Sequence, residues 1–202
     1  MKKTLLTLFC AFLGLTASAQ QDSFLSHMFL PVDAGVSFAT TPGIEGAFYM
    51  RASLEYRFNI HKGPFILAEL DTRTHPYKDR VITMGNAIAG DAAFTDILIG
   101  PGYRFAPSDK FKIALSVQGG ASNLATKNVS EAPVAGQYIL TGMEKWAPVG
   151  KLGVMLEYYL NPSFDLFVAG GLPVTTVPNN PASMDTIVLF PTVSIGFNMA
   201  LE

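Results

Sequence analysis

Charged side chains recur at alternate positions along several stretches of this 202-residue chain: Arg51, Glu55 and Arg57, then Glu69, Asp71 and Arg73. Asp33, Asp96, Arg104, Lys112, Lys151, Glu157 and Asp165 extend the series. Carboxylates and cations spaced by two along an extended backbone share one face, where they can pair and hydrogen-bond. His75 follows the densest of these runs. With Asp71 or Asp79 and a neighbouring hydroxyl it offers the parts of a hydrolase site, a nucleophile activated by an imidazole that an acid holds in place. The preferred reading is plainer: a solvated loop histidine ahead of Pro76. His27 and His61 stand outside the series, and no His or Cys spacing matches a metal site. Gly119-Gly120 and Gly170-Gly171 lie inside strand-like runs, where glycine lets a strand bend, and not in a phosphate-binding loop. No catalytic residue, cofactor or metal is therefore expected, and the chemistry expected of the charges is mutual pairing.

The elements that must position these charges alternate with period two and are punctuated by Gly and Pro. The pattern predicts eight strands, at about 29 to 40, 46 to 60, 64 to 75, 94 to 106, 111 to 122, 146 to 160, 164 to 175 and 186 to 199. Three connections are tight turns: His61-Lys62-Gly63, Pro107-Ser108-Asp109-Lys110 and Asn161-Pro162-Ser163. Those between them run over about 41 to 45, 76 to 93, 123 to 145 and 176 to 185. Alternation puts all thirteen charged residues named above on one face, six basic against seven acidic. The other face of the same segments carries no charge.

Upstream, Met1-Lys2-Lys3, an apolar run from Leu5 to Leu15 and Ala17-Ser18-Ala19 read as a cleaved signal peptide over 1–19. Cys10 lies within it, so no disulfide is expected of the mature chain. Residues 20–28 are read as a short periplasmic segment and 29–199 as a single barrel domain. Without Lys2 and Lys3, 12 basic residues face 16 acidic ones, a balance that excludes a nucleic-acid footprint. Charged residues make up 15% of the chain and hydrophobic ones 49%. A soluble domain carries about 25% charge, so the deficit points to a surface that does not meet water.

A soluble barrel would alternate too, with its apolar face inward. Alternating turn lengths and aromatic strand ends favour the inverse arrangement, charges in the lumen and apolar side chains toward lipid. Tyr56, Phe58, Tyr103, Phe105, Tyr158 and Phe197 form the expected aromatic girdle at the turn end. They belong to a repeated hairpin end, Leu54-Glu55-Tyr56-Arg57-Phe58, Pro101-Gly102-Tyr103-Arg104-Phe105 and Leu156-Glu157-Tyr158-Tyr159-Leu160, with Ile195-Gly196-Phe197-Asn198-Met199 as the closing copy.

On those hairpin ends and that terminal strand, the chain from about Leu30 to Met199 resembles the small eight-stranded outer-membrane barrels of the outer-membrane protein A and X group, and the porin-like barrels related to them. The resemblance implies an all-β, transmembrane, antiparallel up-and-down barrel, a monomer in the outer membrane of a Gram-negative bacterium. It also implies outer-membrane lipid and the barrel-assembly machinery as partners, the latter during insertion through the aromatic last strand. Eight strands enclose an interior just wide enough for side chains to fill, so a packed, charged lumen is expected, with Phe167, Phe190 and Tyr159 pointing inward. The expected role is structural or surface-interacting. A surface ligand would be met through 76–93 and 123–145, which hold strand-like pieces at Arg80-Val81-Ile82-Thr83-Met84 and Gln137-Tyr138-Ile139-Leu140-Thr141. A narrow porin-like channel is the alternative; a lipid-modifying enzyme, known among barrels of this size, stands behind it.

Overall fold

A computed structural model describes residues 25–40, 45–76, 86–131, 138–179 and 184–201. The leader 1–19, the piece 80–84 and Asp79 lie outside the described residues. A 3-10 turn, Leu25–His27, leads into β1 (Met28–Ser37), β2 (Ala47–Arg57), β3 (Gly63–Pro76), β4 (Asn86–Phe105), β5 (Phe111–Glu131), β6 (Tyr138–Asn161), β7 (Phe164–Asn179), β8 (Met184–Leu189) and β9 (Thr192–Ala200). The strands pair in the order β6-β5-β4-β3-β2-β1-β9-β7, and β6 also pairs with β7, closing the sheet. β8 and β9 both pair antiparallel with β7 and form one stave interrupted at Phe190-Pro191, where Pro191 has no N–H for the ladder. The protein is thus a closed, antiparallel, up-and-down barrel of eight staves.

The strand expected at 186–199 is this broken stave. Met28, expected in the leading segment, already pairs with Tyr56, and the first strand ends at Ser37 instead of 40. The larger correction concerns β4, β5 and β6, which run well past the expected 94–106, 111–122 and 146–160. Much of 76–93 and 123–145 is therefore strand, and Tyr138-Ile139-Leu140-Thr141 pairs with 128–131 of β5.

Short turns close the other end through local polar contacts. Asn59 Oδ1 accepts from the N–H groups of His61 at 3.0 Å and Lys62 at 3.3 Å, and Gly63 completes the bend at φ 119°, a left-handed conformation that suits glycine. Ser108 Oγ accepts from Phe111 N–H at 3.1 Å and Asn161 Oδ1 from Ser163 N–H at 3.0 Å.

The register fixes how the lumen is assembled. Following partners from Arg57 through Phe65, Gly102, Ser116, Gly153, Gly171, Thr192 and Ser37 returns to β2 at Ala47, ten residues from the start. A stagger of ten over eight strands tilts them by about 40°, within the usual range for a closed barrel. Side chains distant in sequence thereby meet across the interior. Room for them comes partly from glycine: a Cβ on Gly102 would land on the Phe65 ring and 2.6 Å from the Leu115 carbonyl oxygen. Gly102→Ala is expected to cost about 1–3 kcal/mol through overpacking. The urea midpoint, followed by fluorescence of the sole tryptophan, Trp146, is the measurement; an unchanged midpoint would show that Phe65 has somewhere else to go.

Candidate functional site

All thirteen charged residues of the alternating series lie buried inside the barrel. They sort into two clusters, with no described ion pair between them. Nearest the turns, Arg104 Nε donates to Glu157 Oε2 at 2.9 Å and its Nη2 to Glu157 Oε1 at 2.7 Å, while Nη1 lies 2.8 Å from Glu55 Oε1. Arg57 Nε donates to Glu55 Oε1 at 2.5 Å, and Lys112 Nζ reaches Asp165 at 3.5 Å. Three cations there meet three carboxylates.

Higher in the barrel, Arg51 pairs with Asp33 and with Glu69, the latter at 3.3 Å. Lys151 bridges Glu69 and Asp71 and touches the Tyr49 hydroxyl at 3.1 Å. Arg73 Nη1 donates to Asp71 at 2.9 Å and Asp96 at 2.6 Å, so one nitrogen joins two carboxylates that sit opposite each other on β3 and β4. Gln118, outside the charged series, adds a 3.3 Å bond to Glu69.

Between and above these clusters the lumen is apolar, around the inward Phe167 and Phe190 that the sequence predicts and further residues that it does not single out. Phe65, Leu67, Ala114, Met155, Phe167 and Ala169 pack into one buried group. Its rings touch both ionic sets: Arg104 lies 5.0 Å from the Phe65 centroid and Arg51 5.7 Å from that of Phe167. A second group, Ala92, Phe94, Leu124, Val188 and Phe190, caps the upper cluster, with Arg73 about 5 Å from the Phe94 and Phe190 rings. The interior is a stack of ionic and apolar layers, so a permeating ion would have to leave its water twice. Of the three aromatics expected inward, Phe167 and Phe190 are buried and Tyr159 is partly so.

His75 is not the solvated loop residue expected: it is fully buried in the upper cap, 4.9 Å from the Phe190 ring and 6.0 Å from that of Phe94. β3 continues through it to Pro76, which pairs with Asp91. Its Nδ1 lies 2.7 Å from the Glu45 carbonyl oxygen, which can only accept, so Nδ1 carries the proton and Nε2 accepts from Ser37 Oγ at 3.3 Å. This is a serine–imidazole pair in form. The orienting group is a backbone carbonyl, Asp71 is engaged by Arg73 and Lys151, and neither Ser37 nor His75 is exposed to a substrate. The pair acts as a strut joining β1, β3 and the segment before β2. Among the described residues no His, Cys, Asp or Glu side chains gather as a metal site.

On the outside, Ile66, Ile97, Ile99, Leu115, Val117, Leu152, Val168 and Ile195 form an exposed apolar belt. Phe58, Tyr103, Phe105, Tyr158 and Phe197 stand exposed on its turn side, with Tyr56 half-buried against Phe58 at 5.2 Å. A second aromatic set, Phe38, Phe48 and Trp146, stands exposed at the loop end. Its signal in the sequence is outward parity one belt-width from the turn-end aromatics.

No protein-family model matches the chain, and no curated protein matches it. Solved structures do. The outer membrane protease OmpT of Escherichia coli superposes with a TM-score of 0.51 at 8% identity, covering 89% of this chain and 99% of that one. The attachment invasion locus protein Ail of Yersinia pestis gives 0.49 at 14% identity (85% and 98% covered), and Neisserial surface protein A gives 0.48 at 17% (86% and 97%). The likeness to OmpT is one of fold: this chain has the fold of the outer-membrane barrels.

Proposed function

We propose that this chain spans the outer membrane as a closed, non-conducting barrel whose work is done at the loop end, by presenting an open strand edge to another surface. The apolar belt between two aromatic sets is what a bilayer requires of the outside. The layered lumen argues against a channel. Planar-bilayer recordings of the refolded barrel are expected to show no sustained conductance; stable steps would favour the porin-like reading instead.

The observation that carries the surface role is the mismatch in strand pairing on the two sides of β6. Toward β5 its partners run without a break from Tyr158 to Tyr138, whereas toward β7 they stop at Val149, opposite Thr175. Thr175 Oγ1 still donates to the Pro148 carbonyl at 3.0 Å; beyond it, among the described residues, the edge from Tyr138 to Ala147 has a ladder partner in β5 and none in β7. The side of such an edge that faces away from its ladder partner suits strand addition by an extended segment of a partner. Exposed Glu144 lies on this ribbon, the kind of charged residue that keeps an edge from pairing indiscriminately.

Replacing 127–143 by a short turn leaves the belt and lumen untouched. Cells displaying that variant are expected to keep heat-modifiable, membrane-inserted barrel and to lose adhesion to surfaces that the parent protein binds. Unaltered adhesion would sink the proposal.

A further inference from the structure

A cavity of about 300 Å³ opens at the turn end, away from the proposed binding edge. Its wall is largely apolar, with Phe29, Ile60 and Tyr159 among the lining residues, and two cations, Arg57 and Lys112, line it as well. Arg57 is fully buried, with its guanidinium 3.5 Å from the centroid of the Phe29 ring. Its Nε is taken by Glu55, while its Nη1 and Nη2 make no hydrogen bond, with Asp165 at 3.6 Å and Glu157 at 3.9 Å. Lys112 reaches Asp165 at 3.5 Å, the long limit of a hydrogen bond, and lies 4.9 Å from the Tyr159 ring. A guanidinium has five N–H donors, and the four on Nη1 and Nη2 of Arg57 make no hydrogen bond, although Asp165, whose Oδ1 is likewise without a partner, stands close by. Leaving a buried donor unmade costs about 1–3 kcal/mol, more when it is charged, which an incoming oxygen anion would recover.

We propose that this cavity binds a small amphiphile whose head is a singly charged oxygen anion, a carboxylate or a phosphodiester, held by Arg57 and Lys112 with a short apolar stem against Phe29, Ile60 and Tyr159. Single charge follows from the surroundings: Arg57, Arg104 and Lys112 are already matched by Glu55, Glu157 and Asp165, so every negative charge brought in is uncompensated and a monoanion leaves the smaller excess. The turns around the mouth tilt the field the right way, with exposed Lys62 and Lys110 against Asp109. A short stem follows from the volume, at the small end of the roughly 300–1,000 Å³ of ligand pockets.

The test uses the full-length barrel refolded in nonionic maltoside micelles and titrated with hexanoate, hexanol serving as the uncharged control. Hexanoate is expected to shift the Tyr159 ring and Lys112 side-chain resonances saturably, with hexanol about tenfold weaker or worse, the effect of one charge-assisted hydrogen bond. Lys112→Gln is expected to weaken hexanoate by a similar factor. Adding phosphatidylglycerol separates the sources: competition assigns the site to a lipid headgroup, and its absence to a free carboxylate. No saturable shift, equal binding of hexanol, or undiminished binding to folded Lys112→Gln overturns the proposal. Should that variant not fold, the hexanoate and hexanol titrations of the wild-type protein decide alone.

Discussion

Replacing Arg104 with leucine is expected to destabilise the barrel by about 3–5 kcal/mol, the cost of removing one partner from a buried ion pair. Arg104 grips Glu157 with two parallel hydrogen bonds and lies within 2.8 Å of Glu55, all with almost no exposed surface. Without it, three carboxylates face two cations, and Glu157 is left with Arg57 at 3.9 Å. Leucine fits the neighbouring Phe65, so the loss measures charge rather than packing. Arg104→Lys keeps the charge but not the planar fork that engages both oxygens of Glu157, and an intermediate loss is expected. Adding Glu157→Gln to Arg104→Leu removes the surplus carboxylate and should return part of the stability, a coupling on the order of 0.5–3 kcal/mol. Urea unfolding in lipid vesicles of the wild type, these three variants and Glu157→Gln alone, followed by Trp146 fluorescence, gives the losses and the coupling. If Arg104→Leu falls within about 0.5 kcal/mol of wild type, as surface substitutions do, the turn-end cluster is solvated and the packed-lumen account fails.

The faces of the strands were legible because side chains alternate in a strand whatever its partners, so placing Arg51, Glu55 and Arg57 together needs no knowledge of the fold. Which charges pair was not legible. Arg104 meets Glu55 and Glu157 across the lumen from β4 to β2 and β6, and those meetings are set by the ten-residue stagger, a property of closure. The apolar layers share the alternating face with the charges, yet Phe65, Leu67 and Met155 pass unnoticed when charge is the guide. Strand ends were under-read for a different reason. Above the belt an outward position is free to be polar, as Thr72, Thr95 and Glu144 are, so the alternation that marks a membrane strand stops while the hydrogen-bonded ladder continues. Pro76 misleads about His75 because proline suggests a loop, whereas at the last residue of a strand its missing N–H costs little.

Ile99→Arg supplies the other large expected effect, because it sets membrane against water as the solvent of the outer face. Ile99 is 61% exposed and sits on β4 between Phe105 and Tyr103 at the turn-end girdle and Thr95 above, facing outward with Ile97. Arginine at the bilayer midplane costs about 2–4 kcal/mol, falling to about 0–1 near the interface. Ile99→Arg should therefore lose several times more stability in phospholipid vesicles than Phe105→Arg at the rim, although both remove an exposed apolar side chain. In water the order would collapse, since an exposed arginine on a soluble barrel costs little at either position and removes an aggregation-prone patch. Depth dependence is thus the discriminating quantity, independent of absolute stability. Equal urea midpoints for the two variants in vesicles would mean that the belt is not bilayer-facing, and the outside of the barrel would need another partner to cover it.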